Sequence, residues 1–156
     1  MYAKHYIVLF SAIVASQVTC SPLSRVPEVH RIEVTGDGFE WYVRYAGRDK
    51  KLGTEDDFYS NQNITLIAGC ETTIELRSVD YLYSFALPHL RLKEIAVPDL
   101  AFSMRFRPME TGVFTLKGDQ LCGYQHPRLT GKAYVLSPSD FYRWSSTCKS
   151  LARKSS

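Results

Sequence analysis

Residues 38–45 read Gly-Phe-Glu-Trp-Tyr-Val-Arg-Tyr, and this aromatic, β-prone run is the strongest structural signal in the chain. A turn containing Gly47, Arg48 and Asp49 follows it, and Gly53 supplies a second break. An extended aromatic run bounded by turn-forming residues is typical of a strand. The run therefore predicts a β-strand near the start of a sheet.

Short runs of similar character occur on both sides of this strand. Residues 29–34 and 102–106 alternate in polarity, which gives each run one buried face and one wet face. The runs 63–67 and 72–76 are joined by Ala-Gly, which favours a hairpin. Two further strands are predicted over residues 112–117 and 132–136. Strands at this spacing predict an all-β, antiparallel sandwich or barrel.

The C-terminal part has helical signals. Ser137 can cap a helix, Pro138 suits the first turn, and Asp140 favours the positive end of the helix dipole. Phe141 and Trp144 are three residues apart and lie on one face. We predict a short helix that docks on the sandwich through these two rings.

Length and composition limit the function classes. The chain has 156 residues, with 45% hydrophobic and 22% charged residues, which fits one globular domain. The net charge is only +3, and no Lys/Arg run indicates nucleic-acid binding. The cations Arg44, Arg48, Lys50 and Lys51 are interrupted by Asp49, so a solvated loop is favoured over a binding patch.

The N-terminus resembles an export signal. Residues 1–20 combine a basic start, a short apolar centre and small residues, which predicts a cleaved signal peptide. Lipid attachment at Cys20 is the alternative. No transmembrane span is predicted, because no apolar stretch reaches the required length of about 20 residues. We therefore predict an exported, periplasmic or membrane-surface domain over 29–145, followed by a flexible basic tail over 146–156.

The four cysteines leave the redox chemistry open. They are Cys20, Cys70, Cys122 and Cys148. If Cys20 leaves with the signal, an odd number remains. An oxidising compartment allows a disulfide bond between Cys70 and Cys148, but the sequence does not establish that pairing.

Several stretches, in order, resemble one known family. Residues 46–49 and 52–57 are similar to P-G-x-D…F-G-T-x-D, residues 78–88 resemble S-x-D-V-x-H-S-F-x-V-P, and residues 118–129 resemble C-x-E-x-C-G-x-x-H-x-x-M. These are motifs of cytochrome c oxidase subunit II, in the domain that carries its copper. The resemblance covers about 37–144 and implies a cupredoxin-like Greek-key sandwich that transfers electrons.

The departures from the family pattern lie at its copper ligands. The family's binuclear centre uses two Cys, two His, one Met and a Glu carbonyl. Tyr83, Gly118, Gln120 and Leu129 stand at four of these positions. Because both thiolates bridge the two coppers in the family, one cysteine cannot make that centre. The binuclear site is therefore expected to be lost.

The remaining candidates allow at most one copper ion. Cys122 and His126 supply a thiolate and an imidazole, which is half of a mononuclear copper site. Tyr83, His89 and Gln120 are less favoured ligands. The alternative is a vestigial loop without metal, with Tyr83 filling the vacated pocket.

Trp41, His30 and the acidic run at 55–57 have plain structural explanations as well as functional ones. Trp41 matches the family position at which electrons enter from cytochrome c, although packing in a strand is the more common role of such a tryptophan. His30 is expected to be a half-exposed strand residue. Glu55, Asp56 and Asp57 are expected to form a solvated turn, and no nucleophile–base pair indicates an enzyme.

Two function classes therefore remain open. The first is an electron-transfer domain whose partner is a redox protein or a respiratory oxidase component. The second is a metal-free structural or interaction module, for which an accessory role at a respiratory oxidase is one form. The two classes differ in whether the loop containing Cys122 and His126 binds copper.

Overall fold

The computed structural model describes residues 29–121 and 126–154, without the side chains of 149–154. The predicted signal at 1–20, Cys20 and Cys122 lie outside the described residues. Single-turn 3₁₀ helices span Pro88–Leu90 and Pro127–Leu129. The remaining elements are β1 Val29–Asp37, β2 Glu40–Tyr45, β3 Phe58–Asn61, β4 Ile64–Ile67, β5 Glu71–Ser78, β6 Tyr83–Leu87, β7 Leu92–Ala96, β8 Phe102–Phe106, β9 Gly112–Gln120, β10 Gly131–Leu136 and α1 Pro138–Lys154.

Two five-stranded sheets form the molecule. Their strand orders are β3-β2-β1-β5-β8 and β4-β10-β9-β6-β7. Neighbouring strands are antiparallel except for β1–β5 and β4–β10, which are parallel. Alternate residues along the strands are buried, as in β2 and β6, so each sheet turns one apolar face inward. The predicted all-β sandwich with a C-terminal helix is confirmed.

The predicted hairpin at 63–76 is wrong. β4 pairs with β10, whereas β5 pairs with β1 and β8, so the chain crosses from one sheet to the other between them. Every residue of β4 is buried, because the strand is covered on both faces. Gly69 permits this crossing with a φ of 74° and donates its N–H to the Pro108 carbonyl at 2.7 Å.

The helix begins as predicted and extends beyond the residues that pack on the core. Asp140 donates its N–H to Ser137 Oγ at 3.2 Å, which caps the first turn. Phe141 and Trp144 then pack against the aromatic ring of Tyr45. The backbone is helical to Lys154, because extending a nucleated helix is favourable. The flexibility of the tail over 146–156 stays a prediction.

No disulfide bond joins Cys70 and Cys148. Within the described ranges, no helix is sufficiently long and apolar to cross a lipid bilayer.

Candidate functional site

Tyr83 occupies the interior of the sandwich at the first residue of β6. Its side chain is fully buried, and its ring packs against Trp41 at a centroid distance of 5.7 Å. A Cβ atom built on Gly36 would lie 2.5 Å from Tyr83 Cδ2, so the ring needs a glycine beneath it. The ring therefore fills this part of the core and leaves no room for a further side chain.

The phenol of Tyr83 is fixed by two hydrogen bonds. It donates to Asp80 Oδ1 at 2.6 Å and accepts the Phe39 N–H at 3.3 Å. Burial, followed by the hydrogen bond to Asp80, raises the pKa of Tyr83 well above its usual value of 10. The hydroxyl therefore stays protonated at neutral pH and is a poor metal ligand.

Asp80 joins the loop before β6 to the β1–β2 turn. Besides the Tyr83 hydroxyl, its carboxylate accepts the N–H groups of Gly38 at 2.9 Å and Tyr81 at 2.8 Å. Three donors on two segments hold this carboxylate in one position. Sequence reasoning assigned no role to Asp80, although it lies in the motif at 78–88.

Phe39 connects Tyr83 with His126. Its ring stacks on the His126 imidazole at 3.9 Å with an interplanar angle of 18°, and on Tyr81 at 5.1 Å with an angle of 16°. Phe39 has a φ of 65°, in the left-handed region that non-glycine residues rarely adopt. The stacked rings hold Phe39 in this turn, and they cover one face of the half-buried His126.

Trp41 closes the space next to Gly118. The indole N–H donates to the Leu129 carbonyl at 2.8 Å, in a fully buried position. A Cβ atom on Gly118 would lie 2.7 Å from both Trp41 Nε1 and the Leu129 oxygen. No side chain fits at Gly118 without movement of this hydrogen-bonded pair. The role of Trp41 in electron transfer stays a prediction, and its ring has no exposed surface.

The other predicted ligands lie in two separate places. Gln120 is directly opposite Tyr83 in the β6–β9 pair, at the same end of the sandwich as His126. His89 follows the far end of β6, more than about 13 Å along the strand from Tyr83. Its ring stacks on Phe114 at 3.9 Å. The structure therefore brings Gln120 and Tyr83 together and places His89 elsewhere.

The described residues contain no group of three or more His, Cys, Asp or Glu side chains arranged to hold a metal ion. Cys122 lies outside this part of the chain, so ligation by Cys122 and His126 stays a prediction. Phe39 was missed as a neighbour of His126, because only the left-handed turn brings their rings together.

Sequence similarity to curated proteins relates this chain to one family. The chain is 29% identical over 143 residues to the alternative cytochrome c oxidase subunit 2 of Bradyrhizobium diazoefficiens, covering 78% of this chain and 52% of that protein. It is 30% identical over 113 residues to cytochrome c oxidase subunit 2 of Alkalihalophilus pseudofirmus, covering 72% and 31%. This chain is homologous to cytochrome c oxidase subunit 2. It spans about half or less of the length of these subunit 2 relatives.

Solved structures show the same cupredoxin-like fold. The periplasmic domain of oxidase subunit II from Bradyrhizobium japonicum has a TM-score of 0.66 and 21% identity, covering 78% of this chain and 94% of that domain. A mixed disulfide of such a subunit with a thioredoxin-like protein also has a TM-score of 0.66, at 21% identity, covering 81% and 97%. No family model matches the chain.

The residues present do not fit the binuclear copper centre that subunit II resemblance implies. The position of one cysteine is Gly118, where Trp41 and the Leu129 carbonyl leave no space for a thiolate. The position of one histidine is Tyr83, whose hydroxyl is already hydrogen-bonded to Asp80. Two ligand positions are therefore replaced by other residues, and the space around them is filled by neighbouring groups of the core.

Replacement of Tyr83 by phenylalanine tests the hydrogen bond within this repacked site. We expect Tyr83→Phe to lower the free energy of unfolding by about 1 kcal/mol, because Asp80 loses a donor but remains partly solvated. Urea denaturation at pH 7 measures the change. Tyr81→Phe is the matched control, with an expected change within about 0.5 kcal/mol. Equal effects of the two changes would contradict the role of the Tyr83 hydroxyl.

Proposed function

We propose that this chain is an exported, subunit II-type electron-transfer domain that binds at most one copper ion, through Cys122 and His126. One observation carries the proposal. The fold matches that of oxidase subunit II, and residues 118–129 resemble the family's ligand loop, while Tyr83 and the closed space at Gly118 remove two positions that a second copper needs. A thiolate and an imidazole remain as copper ligands.

The surroundings of His126 support a role at this end of the sandwich. Phe39 stacks on one face of the imidazole and restricts its orientation. Phe39 is itself tied to the core through its N–H bond to Tyr83. An oriented imidazole loses less freedom when it binds a metal ion, which favours ligation.

The partner class follows from the relatives. Because they are subunits of cytochrome c oxidases, the expected partner is an oxidase component or another redox protein at the membrane surface. One structural neighbour forms a mixed disulfide with a thioredoxin-like protein. For this chain, Cys122 is the thiol through which a partner of that class would act.

Copper loading tests the proposal. Purified protein is incubated with Cu(II), desalted, and examined for metal content, visible absorption and electron spin resonance. We expect about one copper per chain and a thiolate-to-copper absorption band. Both should be lost in Cys122→Ala and strongly reduced in His126→Ala.

A second cysteine provides the matched control. Cys148→Ala removes a half-buried thiol from α1 and should leave the copper content and the absorption band unchanged. Two coppers per chain would contradict the closed site at Gly118. A protein that retains no copper would contradict the electron-transfer proposal and favour the metal-free module.

A further inference from the structure

A cavity of about 320 Å³ lies at the end of the sandwich opposite the candidate metal site. It opens between α1, the first residues of β1 and the loop after β2. β1 has nine residues, so about 25 Å separates this cavity from the β1–β2 turn that carries Phe39. The volume is at the lower end of the range for small-molecule sites.

His30 is the most buried polar side chain that lines this cavity. It is 4% exposed, rather than half-exposed as the strand pattern predicted, because Phe141 of α1 packs on its ring at 4.8 Å. Neither ring nitrogen has a hydrogen-bond partner among the described residues. A buried polar group without a partner costs about 1–3 kcal/mol, so its retention requires an explanation.

The protonation state of His30 defines what it can bind. Burial lowers the pKa of His30 from 6.5 to about 3, so the imidazole is neutral at physiological pH. A neutral imidazole has one N–H donor and one acceptor nitrogen. A ligand with a carboxylate or hydroxyl group can satisfy the donor.

The rim of the cavity is cationic. Arg31, Arg48 and Lys50 line it, and all three side chains are exposed. None of them forms an ion pair with an acidic side chain in the described part of the chain. No described Asp or Glu lines the cavity. Asp49 and Asp56 in the same loop offset part of this charge. Three exposed cations beside a concave surface nevertheless favour an anion.

The loop that carries two of these cations is held in place. The Arg48 N–H donates to Asp56 Oδ2, and the Asp49 N–H approaches the same oxygen at 3.3 Å. Asp57 has a buried carboxylate that accepts the Gly53 N–H at 2.7 Å. The turn predicted to be solvated therefore fixes the backbone from which Arg48 and Lys50 project.

The inner walls are apolar. Val29, Phe58 and Phe141 line the cavity beside His30, and the two phenylalanines are buried. Such walls favour a compact apolar body, with the polar group of the ligand directed toward His30 or the cationic rim.

We propose that this cavity binds a small organic monoanion, namely a carboxylate attached to a compact aromatic or branched apolar body. The carboxylate lies against Arg48 and Lys50 and accepts a hydrogen bond from the His30 N–H, and the apolar body contacts Phe58 and Phe141. The site is separate from the proposed copper ligands and does not depend on copper.

Titration with 4-phenylbutyrate, followed by ¹H–¹⁵N spectra of the metal-free protein, tests this proposal. We expect saturable shifts of the amides that line the cavity, including Gly47, Ser145 and Ser146. In the double variant Arg48→Gln/Lys50→Gln, the dissociation constant should rise about tenfold, because charge-assisted contacts are lost. His30→Phe should weaken binding by a smaller factor.

Three controls make the outcome decisive. The double variant Lys117→Gln/Lys132→Gln removes two exposed charges outside the cavity and should leave the dissociation constant unchanged. The neutral 4-phenylbutyramide should bind more weakly, and inorganic phosphate should not match the organic anion. Equal binding of the amide or of phosphate, insensitivity to Arg48 and Lys50, or no saturable shift up to about 10 mM overturns the proposal.

Discussion

Replacement of Gly118 by cysteine is expected to lower the free energy of unfolding by about 3 kcal/mol, the upper end for overpacking a core. This change restores the missing cysteine of the subunit II motif. It should nevertheless fail to restore a binuclear copper centre, because the space around Gly118 is occupied. The prediction thus separates a site that lacks a ligand from one that has been repacked.

The physical reason is the contact geometry at Gly118. A Cβ atom there would lie 2.7 Å from the Leu129 oxygen and 3.0 Å from Trp41 Cε2. Relief of these contacts requires movement of the Leu129 backbone or of the fully buried Trp41 ring. Either movement breaks the 2.8 Å hydrogen bond between the indole and the carbonyl, which leaves two buried polar groups without partners.

Urea denaturation under reducing conditions measures this loss. Lys117→Cys introduces the same residue at the preceding, exposed position of β9, and its stability should change by no more than about 0.5 kcal/mol. Copper content is measured on both variants. A Gly118→Cys protein that matches the control in stability and binds two coppers would show that the space is open.

The sequence predicts the loss of the copper ligands but not the full repacking of their site. Tyr83 was expected to fill the pocket, since a large ring at a ligand position prevents a cavity, and the structure agrees. The contact of Trp41 with Gly118 and Leu129 joins β2 to β9 and the loop before β10. Such a contact depends on which strands face each other across the sandwich, and no local pattern encodes it.

The dependence on contacts between distant strands also explains the errors in the predicted fold. Residues 63–76 show a turn signal between two β-prone runs, but a turn signal does not specify whether the second run returns to the same sheet. The strand patterns at β1 and β8 were recognisable because one face is exposed. β3 is only four residues long, and its pattern of polarity is too short to be distinguished from a loop.

His30 shows how a distant element changes the environment of a residue. In β1 it was expected to be half-exposed, yet α1 covers it through Phe141. The helix itself was predictable from its cap and from the spacing of Phe141 and Trp144. Its docking position on the sandwich was not, because that position is set by contacts with Tyr45 and Phe58.

Acidification is expected to destabilise the domain through His30. The pKa of His30 is lowered by burial to about 3 in the folded protein, against an ordinary value of 6.5. Well above pH 6.5 the imidazole is neutral in both states and adds no pH dependence. Between pH 6.5 and about 3 the unfolded chain binds a proton that the folded chain does not. The free energy of unfolding therefore falls by up to about 1.4 kcal/mol per pH unit from this group.

The variant His30→Phe isolates this contribution. Between pH 6 and pH 4, the free energy of unfolding of this variant should fall by about 2 kcal/mol less than that of the original chain. The carboxylates titrate in both proteins, so their contributions cancel in the comparison.

Denaturation with urea at several pH values between 4 and 7 measures both curves. His126→Phe, which removes a half-buried histidine at the other end of the sandwich, is the matched control for the loss of one imidazole. Parallel curves for the original chain and His30→Phe would mean that His30 accepts its proton in the folded state. In that case α1 does not shield the imidazole from water, and the burial of His30 against Phe141 makes no contribution to the pH dependence of stability.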